Sequence, residues 1–275
     1  VHIGTGNYNS RTARLYTDFG ILTCHPDIGA DVSEVFNLLT GFSRQREYRR
    51  LFVAPATMKD HFLSLIHREA THAREGRPAR IIVTMNALQS PEIINALYDA
   101  SNEGVEIDLM VRGICCLRPG VPGLSERIRV VSVIGRFLEH SRLYYFLNGG
   151  EEEYFIGSAD WMPRNLERRV EVVVPIIDRA LHHRLATLMR TYLTDNRQGW
   201  DLGPDGSYVQ RTPMTAEEVG SHQLLMRDPW GLDRSESRYM TQEFRAAALA
   251  PAPEPHQHLM SMGNGRKRKI RRNGH

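Results

Sequence analysis

The 275 residues, 41% hydrophobic and 24% charged, are enough for one large or two ordinary domains with real cores. No apolar run approaches the roughly 18 residues that a membrane helix needs. Six of the 35 lysines and arginines lie in RKRKIRR (266–272), so the net charge of +3 becomes −3 without that run, and the mildly acidic body argues against specific nucleic-acid binding.

The chain opens on HIGTGNYN, a glycine-rich turn carrying a hydroxyl. Val1 is not a methionine, and the expectation is a chain that starts inside a larger gene product. Asp31 reads as the cap of a helix with Val32, Val35, Phe36 and Leu39 on one face, and Gly41 can end it. Thr57 and Asp60 mark a second helix with Phe62, Leu65 and Ile66 inward, stopped by Gly76. The strand RIIVTM follows, then a helix opened by Ser90-Pro91, then the alternating strand VEIDLMV. Strand, helix, strand with short joints predicts a parallel pair with a right-handed crossover, and ligands collect at the carboxyl ends of such strands. Asn86 and Arg112 stand at those ends. RLYYFLNGGEEEYFIGS reads as a hairpin around Asn148-Gly149-Gly150, ERRVEVVVPI as another strand, and Asp178 as the cap of a last helix. Three cysteines, Cys24, Cys115 and Cys116, have neither zinc spacing nor a disulfide framework, which points to a reducing cytoplasm.

Two segments share a pattern. Gly4-Thr5-Gly6-Asn7-Tyr8-Asn9 and Gly157-Ser158-Ala159-Asp160-Trp161, with Asn165 beyond, each turn sharply at a glycine followed by a hydroxyl residue, an aromatic and an asparagine. Such a turn at Gly4, Thr5 or Ser158 can offer N–H and hydroxyl donors to an oxyanion. Upstream of the second copy, His140 and Arg142 are two apart on an extended segment and leave one face of it. Imidazole that attacks or donates a proton, beside a guanidinium that binds two oxygens, suits phosphate. A partly buried structural histidine with a surface arginine is the plainer alternative.

HIGTGNYNSRTARLYTDFGILT, RGICCLRPGVPGLSERIRVVSVIGRFLEHSRLYYF and GSADWMPRNLERRVEVVVPI together resemble the carboxyl-terminal part of the bacterial polyphosphate kinase family, from Val1 to about Thr194. The resemblance implies an α/β fold of phospholipase D-like domains, each a mixed sheet flanked by helices. The first, truncated, would span 1–52 and the second, complete, 53–196, with a disordered Pro-rich and basic tail over 197–275. It implies reversible transfer of the ATP γ-phosphate to inorganic polyphosphate through a phosphohistidine, with Mg2+. The accepting histidine of the family lies in a His-x-Lys motif preceding HIGTGNYN and is therefore absent from this chain. Tyr16, Arg112 and His140 match nucleotide-contacting positions, His140 with a catalytic role, and Arg169 matches a further phosphate contact. The full-length protein would be a homo-oligomer in the cytoplasm, with peripheral membrane association left open.

Several roles stay open on the residues themselves. Tyr16 can face a purine or pack on the helix near Asp31. Asp18 and Asp160 can bind a metal, orient a histidine, or be solvated turn residues. Where the family often has a lysine two residues before Asn86, this chain has Thr84, which removes one cation from the rim. A phospholipase D-like phosphodiesterase is the second enzymatic reading, although such enzymes usually carry His-x-Lys in both halves and His140-Ser141-Arg142 has arginine. A non-catalytic polyanion-binding module built on RKRKIRR is the third.

Overall fold

A computed structural model describes residues 1–42, 47–213 and 220–229. In chain order the elements are β1 (His2–Gly4), β2 (Tyr16–Thr17), β3 (Gly20–Leu22), α1 (Pro26–Leu39), β4 (Phe52–Ala54), α2 (Met58–Arg74), β5 (Arg80–Met85), α3 (Pro91–Asn102), β6 (Glu106–Val111), β7 (Ile128–Val133), β8 (Leu138–Glu139), β9 (Leu143–Phe146), β10 (Glu153–Gly157), α4 (Pro163–Glu167), β11 (Glu171–Pro175), α5 (Arg179–Leu193), β12 (Gly199–Leu202), β13 (Tyr208–Gln210) and α6 (Ser221–Arg227).

One mixed sheet organises them, in the order β13-β12-β7-β6-β5-β9-β10-β11-β4. Its centre, β5, β6 and β7, is parallel, as the β5-α3-β6 spacing predicts. The remaining neighbours are antiparallel, including the hairpin β9-β10 around residues 147–152. Period-two alternation sends Ile81, Val83 and Met85 of β5 into a core with Phe62 and Ile66 of α2 and Leu97 of α3. Ile82 faces the other way, toward a second core with Ile28 and Val35 of α1 and Met189 and Tyr192 of α5. The mixed sheet flanked by helices is therefore the architecture expected from the sequence. With β5, β6, β7 and β10 running the same way, their carboxyl ends share one edge, where β9 and β11 begin.

Two expectations are corrected. The first helix starts at Pro26, not Asp31, because proline is pre-set for the opening turn and lacks the N–H that a helix start leaves unpaired. Asp31 lies inside the helix, fully buried, and its carboxylate accepts the N–H groups of Arg49 (3.0 Å), Arg50 (2.7 Å) and Leu51 (3.1 Å). Burial acts to raise its pKa, but those N–H donors and the Arg49 guanidinium outweigh it, so the carboxyl sits below its ordinary value.

The second correction concerns the tail. Order continues past 196: β12 pairs with β7, β13 pairs with β12, and α6 packs on α5. Asp195 joins these pieces, accepting from the N–H groups of Arg197, Gln198 and Ser221. The composition of 197–229 concealed this because its strands are short and β7, the strand that seats them in the sheet, lies far upstream. RKRKIRR lies outside the described residues.

Candidate functional site

The loops at the carboxyl edge are knitted to one another. Gly113 N–H donates to Asn86 O, Leu88 N–H to Ile114 O, and Gln89 and Ser90 N–H to Trp161 O, each at 2.9 Å. This framework fixes Asn86, which donates its backbone N–H to Asp160 Oδ1 (2.7 Å) and its side-chain amide to His140 O (3.3 Å). Arg112, at the end of β6, donates Nε and Nη2 to Asn86 Oδ1 at 3.0 and 2.8 Å. Nη1 then has no hydrogen-bond partner among the described residues, and the side chain is half-buried.

His140 follows β8, which pairs in parallel with β2. The pairing brings Tyr16 to His140, ring centroids 5.0 Å apart, and Asp18 Oδ1 to 2.9 Å from His140 Nδ1. Asp18 also accepts from Thr5 Oγ1 at 2.7 Å. With Nδ1 donating to the carboxylate, Nε2 is the acceptor nitrogen, and Arg142 Nη1 lies 3.2 Å from it. Close approach explains Gly6: a Cβ there would lie 2.1 Å from Asp18 Oδ2 and would drive the carboxylate off His140. Gly157 has a similar reason, since its Cβ would meet Val172 O at 2.4 Å.

The structure thus brings Tyr16, His140, Thr5 and Arg142 together, with Arg112 linked to them through Asn86. The chemistry expected of several partners changes. Arg142 is buried and its fork is closed on Asp160, Nε to Oδ1 at 3.2 Å and Nη2 to Oδ2 at 3.1 Å. Nη1 donates to His140 O (2.8 Å) and Thr5 O (3.1 Å), so Arg142 braces the two halves rather than offering two free donors to phosphate. Thr5 is engaged as well, its N–H donating to Phe19 O at 2.9 Å and its hydroxyl to Asp18 Oδ1 at 2.7 Å, while Gly4 stands opposite Gly20 between the bonded pairs, so its N–H is not spent on β3. Ser158 donates its hydroxyl to Glu171 and its N–H to Val172 O. Glu171 also accepts from Asn165, whereas Asn7 and Asn9 of the first copy accept from neighbouring turn residues. Thr5 and Ser158 thus spend internally the donors that the sequence pattern offers to an oxyanion. Arg169 is exposed just before β11, at the same sheet edge.

Among the described residues no group of three or more His, Cys, Asp and Glu is placed to hold a metal. Asp160 spends both oxygens on Arg142 and Asn86, and Asp18 Oδ1 serves Thr5 and His140. Among the described residues these carboxylates are engaged by protein donors, Asp18 Oδ2 excepted, and by themselves they make no resident metal site.

Sequence reasoning missed Glu139. Its carboxylate is buried and accepts from Thr17 Oγ1 (2.6 Å) and Tyr192 OH (2.7 Å) and pairs with His222 Nε2 (2.6 Å). Its place next to His140 on a strand was the available signal, because alternation puts it on the opposite face.

The fold defines a class first: α/β proteins whose polar, chemistry-bearing residues gather at one edge of a mixed sheet. Comparison with known proteins makes the family specific. The model of polyphosphate kinase C-terminal domain 2 matches residues 51–223 and that of C-terminal domain 1 matches residues 1–45. The chain belongs to the polyphosphate kinase family. It is 60% identical to a polyphosphate kinase of Thermosynechococcus vestitus and 57% identical to one of Synechocystis, in each case over 82% of this chain. A solved polyphosphate kinase from Porphyromonas gingivalis superposes with a TM-score of 0.78 at 36% identity, over 89% of this chain and 36% of that one. The matched region covers 31% of each of the two curated relatives, so the chain corresponds to about a third of their length.

Proposed function

We propose that the chain forms part of an ATP–polyphosphate phosphotransferase site, which moves the ATP γ-phosphate reversibly onto inorganic polyphosphate through a phosphohistidine. The observation that carries the reading is the convergence of Tyr16, His140 with its Asp18 partner, and Arg112 on one sheet edge, in a chain of the polyphosphate kinase family. Phosphoryl transfer depends on positioning and charge neutralisation more than on covalent help from the protein. Tyr16 offers an aromatic face to the purine. Arg112, oriented by Asn86, turns its remaining N–H edge toward phosphate oxygens, and Arg169 supplies a further cation. His140, oriented by Asp18, donates to the transferring or leaving oxygen from Nε2 when the ring is protonated and accepts a proton there when it is neutral. The nucleophilic histidine is contributed from outside this chain. Mg2+ arrives with the nucleotide as part of the substrate, consistent with carboxylates already committed to arginine, amide and imidazole.

The test is polyphosphate formation from Mg-ATP by the longer protein that includes this chain, with His140→Ala and Arg112→Ala. Loss of rate by about 10²–10⁴ on removing His140 is expected of a residue working as a general acid or base. A protein that cleaves phosphodiesters and makes no polyphosphate would overturn the reading.

A further inference from the structure

The Tyr16–Asp18–His140 arrangement rests on very little backbone. β2 and β8 contribute two residues each, joined by Leu138 N–H to Leu15 O (2.8 Å) and His140 N–H to Thr17 O (3.3 Å). A parallel pair of this length does not hold a side-chain geometry by itself. Alternation gives the ribbon two faces. Tyr16, Asp18 and His140 share the face toward the site, while Thr17 and Glu139, register partners, share the back. On the back, the Glu139 carboxylate collects Thr17 from the ribbon, Tyr192 from α5 and His222 from α6. All three partners bear on one buried charge, and the His222 and Glu139 side chains are 2% and 6% exposed. The ring of His222 also packs edge-on against Phe137 at 5.6 Å, and Phe137 N–H points to His222 Nδ1 at 3.4 Å, so Nε2 carries the proton donated to Glu139. Gly135 lets α6 approach, since a Cβ there would come 2.4 Å from His222 Nδ1.

We propose that Glu139, Tyr192 and His222 form a positioning clamp that holds the β2-β8 ribbon from behind and so sets Tyr16 and Asp18 against His140, making α6 a working part of the site. The proposal rests on reading Tyr16 and His140 as nucleotide contacts. None of the clamp residues touches the reacting atoms. Removing His222 leaves a buried carboxylate short of a donor, a state relieved when the ribbon shifts to let water reach it. A shift of that kind separates Tyr16 from His140 without unfolding the sheet.

The experiment uses the isotope-labelled 275-residue chain. Its first readout is the nuclear Overhauser effect between the Tyr16 and His140 rings, with His140 signals assigned by His140→Gln. Its second is ATP affinity by calorimetry. His222→Leu is expected to abolish the ring–ring effect and weaken ATP binding at least tenfold, and His222→Gln, which restores an N–H donor, to recover both. Ile66→Ala, a buried α2 change in the core on the other face of the sheet, controls for general destabilisation and should lower Tm with neither effect. If His222→Leu fails to fold, Tyr192→Phe removes one donor from the same carboxylate and should give a partial loss, about threefold in affinity. A folded His222→Leu that keeps the ring contact and the affinity overturns the proposal, as does equal loss in Ile66→Ala. If the wild-type chain shows the ring contact and its loss in His222→Leu, yet binds no ATP, the clamp stands and the nucleotide reading of the site fails.

Discussion

Glu69 sits on the buried side of α2 and accepts the N–H groups of Asn148 (2.7 Å) and Arg80 (3.1 Å). Burial pushes its pKa up, against those two donors and the Arg68 guanidinium, to about 7 from 4.5. Below pH 4.5 the folded and unfolded chains both hold the proton. Between 4.5 and 7 the unfolded chain releases it while the folded chain keeps it, so stability present at low pH is lost as pH rises through 7. Urea unfolding at pH 5 and pH 8 should show the wild type losing about 1–3 kcal/mol more than Glu69→Gln across that interval. Equal losses would show that Glu69 does not titrate there. Asp31 has the opposite sign and a larger structural share. Asp31→Ala strands three backbone donors and is expected to cost about 2–4 kcal/mol in the same assay. Asp27→Ala loses one half-exposed pair with Arg50 and should cost under about 1 kcal/mol. Thiol chemistry gives a simpler check. Cys24 and Cys116 are exposed, while burial pushes Cys115 up to about 11, so alkylation at pH 8 should modify two thiols quickly and spare Cys115.

Elements differ in how legible they were, and the differences have physical causes. β5, α3 and β6 were readable because their pattern is local: an apolar strand, a proline-opened helix and an alternating strand within about thirty residues. The grouping of His140 with Arg142 followed from strand alternation alone. What Arg142 does was not readable, since its guanidinium closes on Asp160, eighteen residues later, and reaches Thr5, 137 residues earlier. The parallel pairing of β2 with β8 joins positions 122 residues apart through four residues of strand, a contact no local period encodes. β12 was lost for the same reason, because a four-residue strand is recognisable only when β7 lies beside it. Its place in the sheet predicts the effect of truncation. A chain ending at Asn196 leaves β7 as an open edge and deprives Asp195 of the N–H groups of Arg197, Gln198 and Ser221, so it should aggregate and lose its cooperative thermal transition. A chain ending at Pro229 keeps these contacts and should keep a cooperative thermal transition.

At the scale of the molecule, charge is unevenly distributed along the sequence. The site lies on a sheet edge built from residues 1–169, whereas the six cations of RKRKIRR stand at 266–272, beyond α6. Without them the chain carries −3, so any long-range attraction to polyanions is concentrated in that run. Attraction between solvated charges is screened beyond about 8 Å at physiological ionic strength, whereas donors held at a sheet edge act at contact distance and are screened much less. Deleting residues 266–272 should therefore leave ATP affinity within about twofold at roughly 150 mM salt, while reducing retention on heparin and abolishing most of the salt dependence of polyphosphate binding. Arg112→Ala should do the reverse, lowering ATP affinity with heparin retention unchanged. Loss of ATP binding on the tail deletion at that salt would move recognition from the sheet edge to the basic run, and the chain would then act as a polyanion-binding module rather than as part of a phosphotransferase site.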